Sequence, residues 1–318
     1  MATKSYLNPS SMEVLAALEL TRKELRKKRI IHVGLCIAGA GIAVFGFLSG
    51  ISLIGIAGVL CFITGFVLIA LGSKAIDEYR LDFKRKLIAE ALKMIDESLE
   101  IDPESGLNEN EFIRSLLYNR RPDSYKSEDL VFGNSGKTKF SFSEVHAKYK
   151  QVRNTKNGRQ ESWHDIFRGV IFQADFNKNF KGATLVKSRV FGDSVTEWFT
   201  TNIPVFSSSE TLVKLENTEF DKHFITHSSD QIEARYILTP LMMESILELN
   251  ERCRYTISLS FIRNQVNIAF PLTKNYFEAP LFNSLLDDEV MQEDMALVRH
   301  VYRVIETLDL NTRIWGRA

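Results

Sequence analysis

No aspartate, glutamate, lysine or arginine occurs between Ile30 and Ser73. A membrane helix needs about 20 apolar residues, so this uncharged run is long enough for two spans. Cysteine is also scarce: Cys36 and Cys61 lie inside the run, and Cys253 stands alone in the remainder. One cysteine outside the run excludes a disulfide framework and fits a reducing compartment. No charge excess of either sign exists, since 40 basic residues balance 40 acidic ones. That balance gives no global attraction for nucleic acid, so none is expected as a partner. The lack of charge within the run argues against an ion or proton pathway.

What is present beside the run sets its orientation. Arg22, Lys23, Arg26, Lys27, Lys28 and Arg29 precede it, and Lys74, Arg80, Lys84, Arg85 and Lys86 follow it. The run divides near Ser49-Gly50 into spans of about 30–48 and 51–71, with room for only a short turn. Backbone groups in lipid must be paired internally, which forces helix on both sides of that turn. Both basic clusters then lie on one side, and lysine and arginine are retained in the cytoplasm. The expectation is a multi-pass membrane protein with both termini cytoplasmic. Its basic flanks suit anionic lipid headgroups. A buried hairpin of a soluble core would rarely run this long without a charge. A cleaved signal peptide would be shorter, earlier and followed by a small-residue cleavage site. Gly58, Gly65 and Gly72 recur every seven residues and share one helix face, as do Gly34 and Gly41. Small residues let membrane helices approach closely. Packing of the two spans on each other is the simplest use, and homo-oligomerisation the alternative.

The expected domains are a cytoplasmic N-terminal helix over 1–29, the hairpin over 30–73, an amphipathic stalk helix over 74–103, and a cytoplasmic domain over 104–318. Phe83, Leu87, Ile88, Ala91, Leu92, Ile95 and Leu99 follow a helical period, which Pro103 and Gly106 end. A short helix follows over 108–118. Strands are expected at 131–133 and 138–145 around Asn134-Ser135-Gly136, then at 163–176, 183–191, 211–215 and 223–226. The polar stretch Arg153 to Glu161 reads as a loop, and Asn177-Lys178-Asn179 as another. Asp230 with Glu233 signals a helix start, and Pro240 fits the first turn of a second helix, Leu241 to Cys253. A hairpin at 255–262 and 266–271 turns at Arg263-Asn264-Gln265, and a helix over 289–308 closes the chain. Grouped strands and segregated helices give the fold class: a membrane α-helical hairpin followed by an α+β domain with mainly antiparallel sheet.

Few motifs carry chemistry. Gly133 to Thr138 resembles the end of a phosphate-binding loop, but Val131 stands where the first glycine belongs and a strand pattern follows, so a hairpin is expected. Asp102 to Gly106 fails as a calcium loop, because Ile113 replaces the bidentate glutamate. His223 and His227 would share one side of a continuous strand and are weak metal candidates without a third ligand. His146 and the His164-Asp165 pair are equally ambiguous. No Gly-x-Ser-x-Gly or His-Glu-x-x-His appears, and no cofactor motif is read. Glu233-Ala234-Arg235-Tyr236 is the densest mixed patch. It reads first as a capped helix sending Tyr236, Ile237 and Leu238 into the core, and alternatively as a recognition surface of Glu233 and Arg235.

These residues resemble a bacterial membrane-protein family known as domain of unknown function 3137. The likeness runs from about Ile76 to Phe282. It rests on Val131-Phe132-Gly133-x-x-Gly136, Phe142-Ser143-Glu144-Val145, Phe167-Arg168-Gly169-Val170, Asp175-Phe176, Leu215-Glu216, Phe220 and Phe224. Glu233 through Pro240 is the most specific element. Phe167-Arg168-Gly169 departs from an expected Phe-Lys-Gly while keeping the charge. The resemblance implies a two-span hairpin with a large cytoplasmic domain, encoded in some members beside LemA-type membrane proteins, which makes such a protein the implied partner. It implies no reaction or catalytic residues. The function expected is a membrane-anchored interaction or scaffold protein. The alternative is a membrane-associated, hydrolase-like enzyme whose site is assembled from distant loops.

Overall fold

A computed structural model describes residues 9–155, 158–176, 179–189, 212–253, 256–286, 288–308 and 310. The loop expected at 177–179 and the strand ends expected at 191, 211 and 255 fall wholly or partly outside them. The chain divides into two compact units, one of residues up to Met94 with Phe277–Asp294, the other of Ile95–Tyr276 with residues from Met295.

The first unit is built on helices α1 (Pro9–Leu48) and α2 (Ser52–Asp82), both long and apolar enough to cross a membrane. The N-terminal helix expected over 1–29 is not separate, because α1 runs unbroken into the uncharged segment. Gly50, at a φ of +73°, makes the turn, and the Ile51 amide donates to the Gly46 carbonyl at 2.9 Å. Glycines hold the two helices together. A Cβ on Gly58 would fall on the backbone nitrogen of Ala43, and one on Gly65 would lie 2.7 Å from Cys36 Sγ. Gly39 and Gly46 supply the opposing face, with Gly46 against the Gly55 backbone. Gly34, Gly41 and Gly72 face open space, so the seven-residue repeat on α1 that packs is 39 and 46.

The stalk expected over 74–103 ends early. After α2 comes a π-helical stretch, Phe83–Ile88, and then α3 (Ala89–Lys93). The helical run stops short of Pro103, and Glu100–Asp102 is a strand. Its apolar stripe is no free surface either: Tyr79, Phe83, Leu87, Ile88 and Leu92 are all buried. The buried Glu19–Arg22 pair on α1 (2.8 Å) ties this unit to its C-terminal piece. Glu19 accepts from the Leu285 amide at 3.0 Å, and Arg22 donates to the Leu281 carbonyl at 2.9 Å.

Among the described residues the second unit holds a nine-stranded sheet in the order β1-β2-β3-β4-β9-β8-β5-β7-β6, with every pairing antiparallel. The strands are β1 (Glu100–Asp102), β2 (Ser124–Ser135), β3 (Thr138–Thr155), β4 (Gly158–Asp175), β5 (Ala183–Ser188), β6 (Leu212–Val213), β7 (Phe224–Ser228), β8 (Ser258–Ile262) and β9 (Gln265–Pro271). Two turns fall where the sequence marks them. Gly136, φ +59°, joins β2 to β3, and Arg263, φ +57°, joins β8 to β9. The loop expected over 153–161 is instead the end of the long β3–β4 hairpin, with Val152 opposite Glu161 and Arg153 opposite Gln160.

Alternation along β3 and β4 separates the faces. Val145, Ala147, Phe167 and Ile171 point to one side. There they pack with Leu107, Leu117 and Phe112 of α4 (Glu109–Arg114), which Asn108 caps through the Asn110 amide. Phe140 and Phe172 point to the other side, where Phe140 meets Tyr302 edge-on at 5.7 Å. Tyr302 belongs to α8 (Asp288–Thr307). Between the last strands lie α5 (Thr218–His223), α6 (Gln231–Ile237) and α7 (Pro240–Glu251).

Candidate functional site

Two of the motifs, Phe142–Val145 and Phe167–Val170, face each other across the β3–β4 pair. In Phe167-Arg168-Gly169 each residue has its own reason. Phe167 is in the core; Arg168, one step on, is exposed on the opposite face. Gly169 takes a φ of +150°, and an added Cβ would strike the Phe270 carbonyl and lie 2.8 Å from the Leu272 nitrogen. Only glycine fits there. Without a side chain at 169, β4 closes on the end of β9, and the Leu272 amide donates to the Arg168 carbonyl at 3.1 Å.

Beside that closure lies a polar cleft of about 160 Å³, lined by Lys126, Glu128, Glu144, His146, Arg168 and Lys274 among others. Lys126 pairs with Glu128 at 2.9 Å, Glu144 accepts from the Tyr276 amide, and Arg168 donates to Asn275 Oδ1 at 3.0 Å. The cleft thus gathers three cations and two carboxylates that are already engaged with one another or with its walls. Among the described residues the lining holds no serine, threonine or cysteine. His146 Nε2 lies 2.8 Å from Asp165 Oδ1, a contact that the His164-Asp165 motif did not suggest. His164 instead stacks on Tyr149, ring centroids 5.2 Å apart.

The other candidates separate. His223 ends α5, exposed, with Nε2 3.3 Å from Glu219, whereas His227 is buried in β7. The change from helix to strand at Phe224 removes the shared face expected of them. Among the described residues no group of three or more His, Cys, Asp or Glu is placed to hold a metal ion. Asp230 caps α6 through the amides of Ile232 and Glu233. The Glu233 carboxylate reaches back to the amides of Gly182 (2.9 Å) and Lys181 (3.2 Å), so it fastens the entry to β5. Arg235 is exposed and donates to the Gln231 carbonyl of its own helix. Ile237 and Leu238 enter the core as expected, but Tyr236 does not and is 48% exposed. A seven-residue helix has only one inward face, and Ala234 with Ile237 occupies it.

Two pairs were not legible from spacing. Cys253 Sγ lies 3.4 Å from His300 Nε2 and donates to the Leu249 carbonyl. Burial pushes this thiol up to about 12 and lowers the His300 pKa, so the pair holds a neutral thiol, the opposite of an activated nucleophile. Lys187 is buried with its ammonium 4.6 Å from the Tyr118 ring centroid, and burial brings its pKa down to about 7.

No curated protein matches the chain. Among solved structures, the mycobacterial trehalose monomycolate transport factor A, TtfA, is 10% identical, with a TM-score of 0.32 over 66% of this chain and 88% of that one, a likeness too low to carry an argument. Residues 165–310, from within β4 through α8, match the family model described as protein of unknown function (DUF3137), the uncharacterised family that the sequence resembles.

Proposed function

We propose that this chain is a membrane-anchored interaction protein. Its two apolar helices cross a bacterial inner membrane, and its α+β domain binds another protein at the cytoplasmic face. The observation that carries this reading is the apolar outer surface of α1 and α2. Leu48 is 84% exposed, Leu53 81% and Leu71 71%, with Ile37, Phe45 and Phe66 alongside. Contiguous apolar surface of that kind needs lipid or protein to cover it. Lipid suits it, because Gly39, Gly46, Gly58 and Gly65 sit inside the pair and large apolar side chains lie outside. A cysteine placed at Ser49 should react with an impermeant thiol reagent from outside intact cells, and one at Ser124 should not. Efficient external labelling at Ser124 would overturn the topology.

The face presented by α6 and the start of α7 supports a protein partner. Ile232 (83% exposed), Arg235, Tyr236 (48%) and Leu241 (64%) are all exposed in this stretch. An amphipathic segment of a membrane protein carrying an acidic residue would satisfy both the apolar side chains and the guanidinium, and a LemA-type protein is the partner the resemblance implies. A photocrosslinking residue at Tyr236, used in native membranes, should capture one dominant protein. Capture of only lipid, or of the same proteins trapped from a probe at Lys93, would remove this surface from the reading.

A further inference from the structure

The β3–β4 hairpin outruns the sheet. β2 pairs with β3 no further than Lys148, and β9 pairs with β4 only from Gly169 onward. Residues 149–155 and 158–164 therefore pair with each other alone, as a ribbon roughly 20 Å long. Its base is fastened: Arg120 lies over the Tyr149 ring at 3.4 Å, and the Lys150 amide donates to Asp123 at 2.7 Å. A lone two-stranded ribbon is at best marginally stable in water, so a stretch of this length projecting from a sheet needs a reason beyond stability. From 148 to 159 the sequence contains Lys148, Lys150, Arg153, Lys156 and Arg159 and no acid, within a chain of zero net charge. The next acid, Glu161, is taken up by Lys150 and by Arg159 at 3.3 Å. The register sets Lys150 opposite Trp163 and Val152 opposite Glu161 on one face, and Arg153 opposite Gln160 on the other. Trp163 is 52% exposed and Val152 43%.

We propose that this ribbon is an arm that binds the anionic headgroup layer of a lipid bilayer. Basic residues on both faces, Lys150 and Arg159 on one and Arg153 on the other, with an exposed tryptophan and valine between them, suit a ribbon laid into a flat layer of phosphates better than a single face docked on a protein. Lysine and arginine are drawn to anionic lipid surfaces. Tryptophan settles at the water–lipid boundary, where its ring and its N–H are both satisfied. The inference rests on the ribbon alone and stands whether or not α1 and α2 cross a membrane.

The test uses the full chain in phosphatidylcholine nanodiscs, with Trp198→Phe and Trp315→Phe so that Trp163 alone reports. Sedimentable vesicles of phosphatidylcholine, with or without phosphatidylglycerol, are then added. The chain should sediment with the phosphatidylglycerol vesicles, with Trp163 emission moving to shorter wavelength, and raised salt should reverse both changes. Arg153→Gln with Arg159→Gln should weaken the association about 20- to 30-fold, at about fivefold per basic residue. Lys181→Gln, an exposed cation elsewhere, should leave it unchanged. Equal sedimentation with both vesicle types would overturn the proposal. So would an unchanged affinity of the double variant, or tighter binding to duplex DNA than to the anionic vesicles.

Discussion

Gly39 and Gly58 meet backbone to backbone across the apolar hairpin: a first side-chain carbon on Gly39 would lie 2.9 Å from the Gly58 carbonyl oxygen. Gly58→Leu should therefore force the helices apart, lowering both the accumulation of folded chain in membranes and its melting temperature in detergent. Gly72→Leu and Gly34→Leu, which meet nothing, should behave like the parent. A Gly58→Leu chain that melts with the parent would remove the contact.

Gly169→Ala is expected to cost several kcal/mol, because it combines a positive φ with a collision against backbone that cannot swing aside. Arg168→Lys keeps the charge on the exposed face and should cost less than about 0.5 kcal/mol. Urea unfolding of the two variants should separate them widely, and similar midpoints would show that β9 can give way.

Glu233 and Arg235, read together from the sequence, should separate into a structural and a surface role. Glu233→Ala removes the acceptor of two backbone amides and should destabilise the second unit by about 2 kcal/mol. Arg235→Ala should change stability by less than about 0.5 kcal/mol while weakening capture of the partner. Thermal melting beside crosslinking yield measures both. A large loss of stability from Arg235→Ala would restore the structural role.

The second unit should weaken in mild acid. Burial lowers the pKa of His227 to about 4, against 6.5 when exposed. Between those values the unfolded chain binds a proton that the folded chain refuses, so stability is full above pH 6.5 and falls as the pH drops toward 4. One such group contributes at most about 1.4 kcal/mol per pH unit. His227→Leu should flatten that part of the stability profile. An unchanged slope would assign the acid sensitivity to other groups.

How much of this was legible depended on whether a residue's role was local. Gly136, Asn264, Asp230 and Pro240 act within a few residues of themselves, and turns and helix starts appeared where they stand. The uncharged run announced its two helices in the same way. The β3–β4 ribbon was hidden, because a strand wet on both faces shows no alternation of apolar and polar residues. The three-residue edge strand β1 was hidden because Glu100 and Asp102 carry no strand signal. The cleft was hidden because Lys126, His146, Arg168 and Lys274 come from segments far apart in the chain. Glycine spacing marked Gly34 and Gly41 on α1, and only the neighbouring helix decides that Gly39 and Gly46 are covered instead.

The strand order has a consequence for biosynthesis. β8 and β9 sit between β4 and β5, yet they are made last of the strands, and Asp175 precedes its partner Gln265 by 90 residues. At roughly 5–20 residues per second, the ribosome leaves the hydrogen-bonding edge of β4 open for on the order of ten seconds. The edge of β5 waits as well. Neighbouring nascent chains on one message carry the same two raw edges, and unpaired edges invite pairing between chains. Production of this protein should therefore depend on a chaperone or on slow initiation until the final hairpin arrives to join the halves.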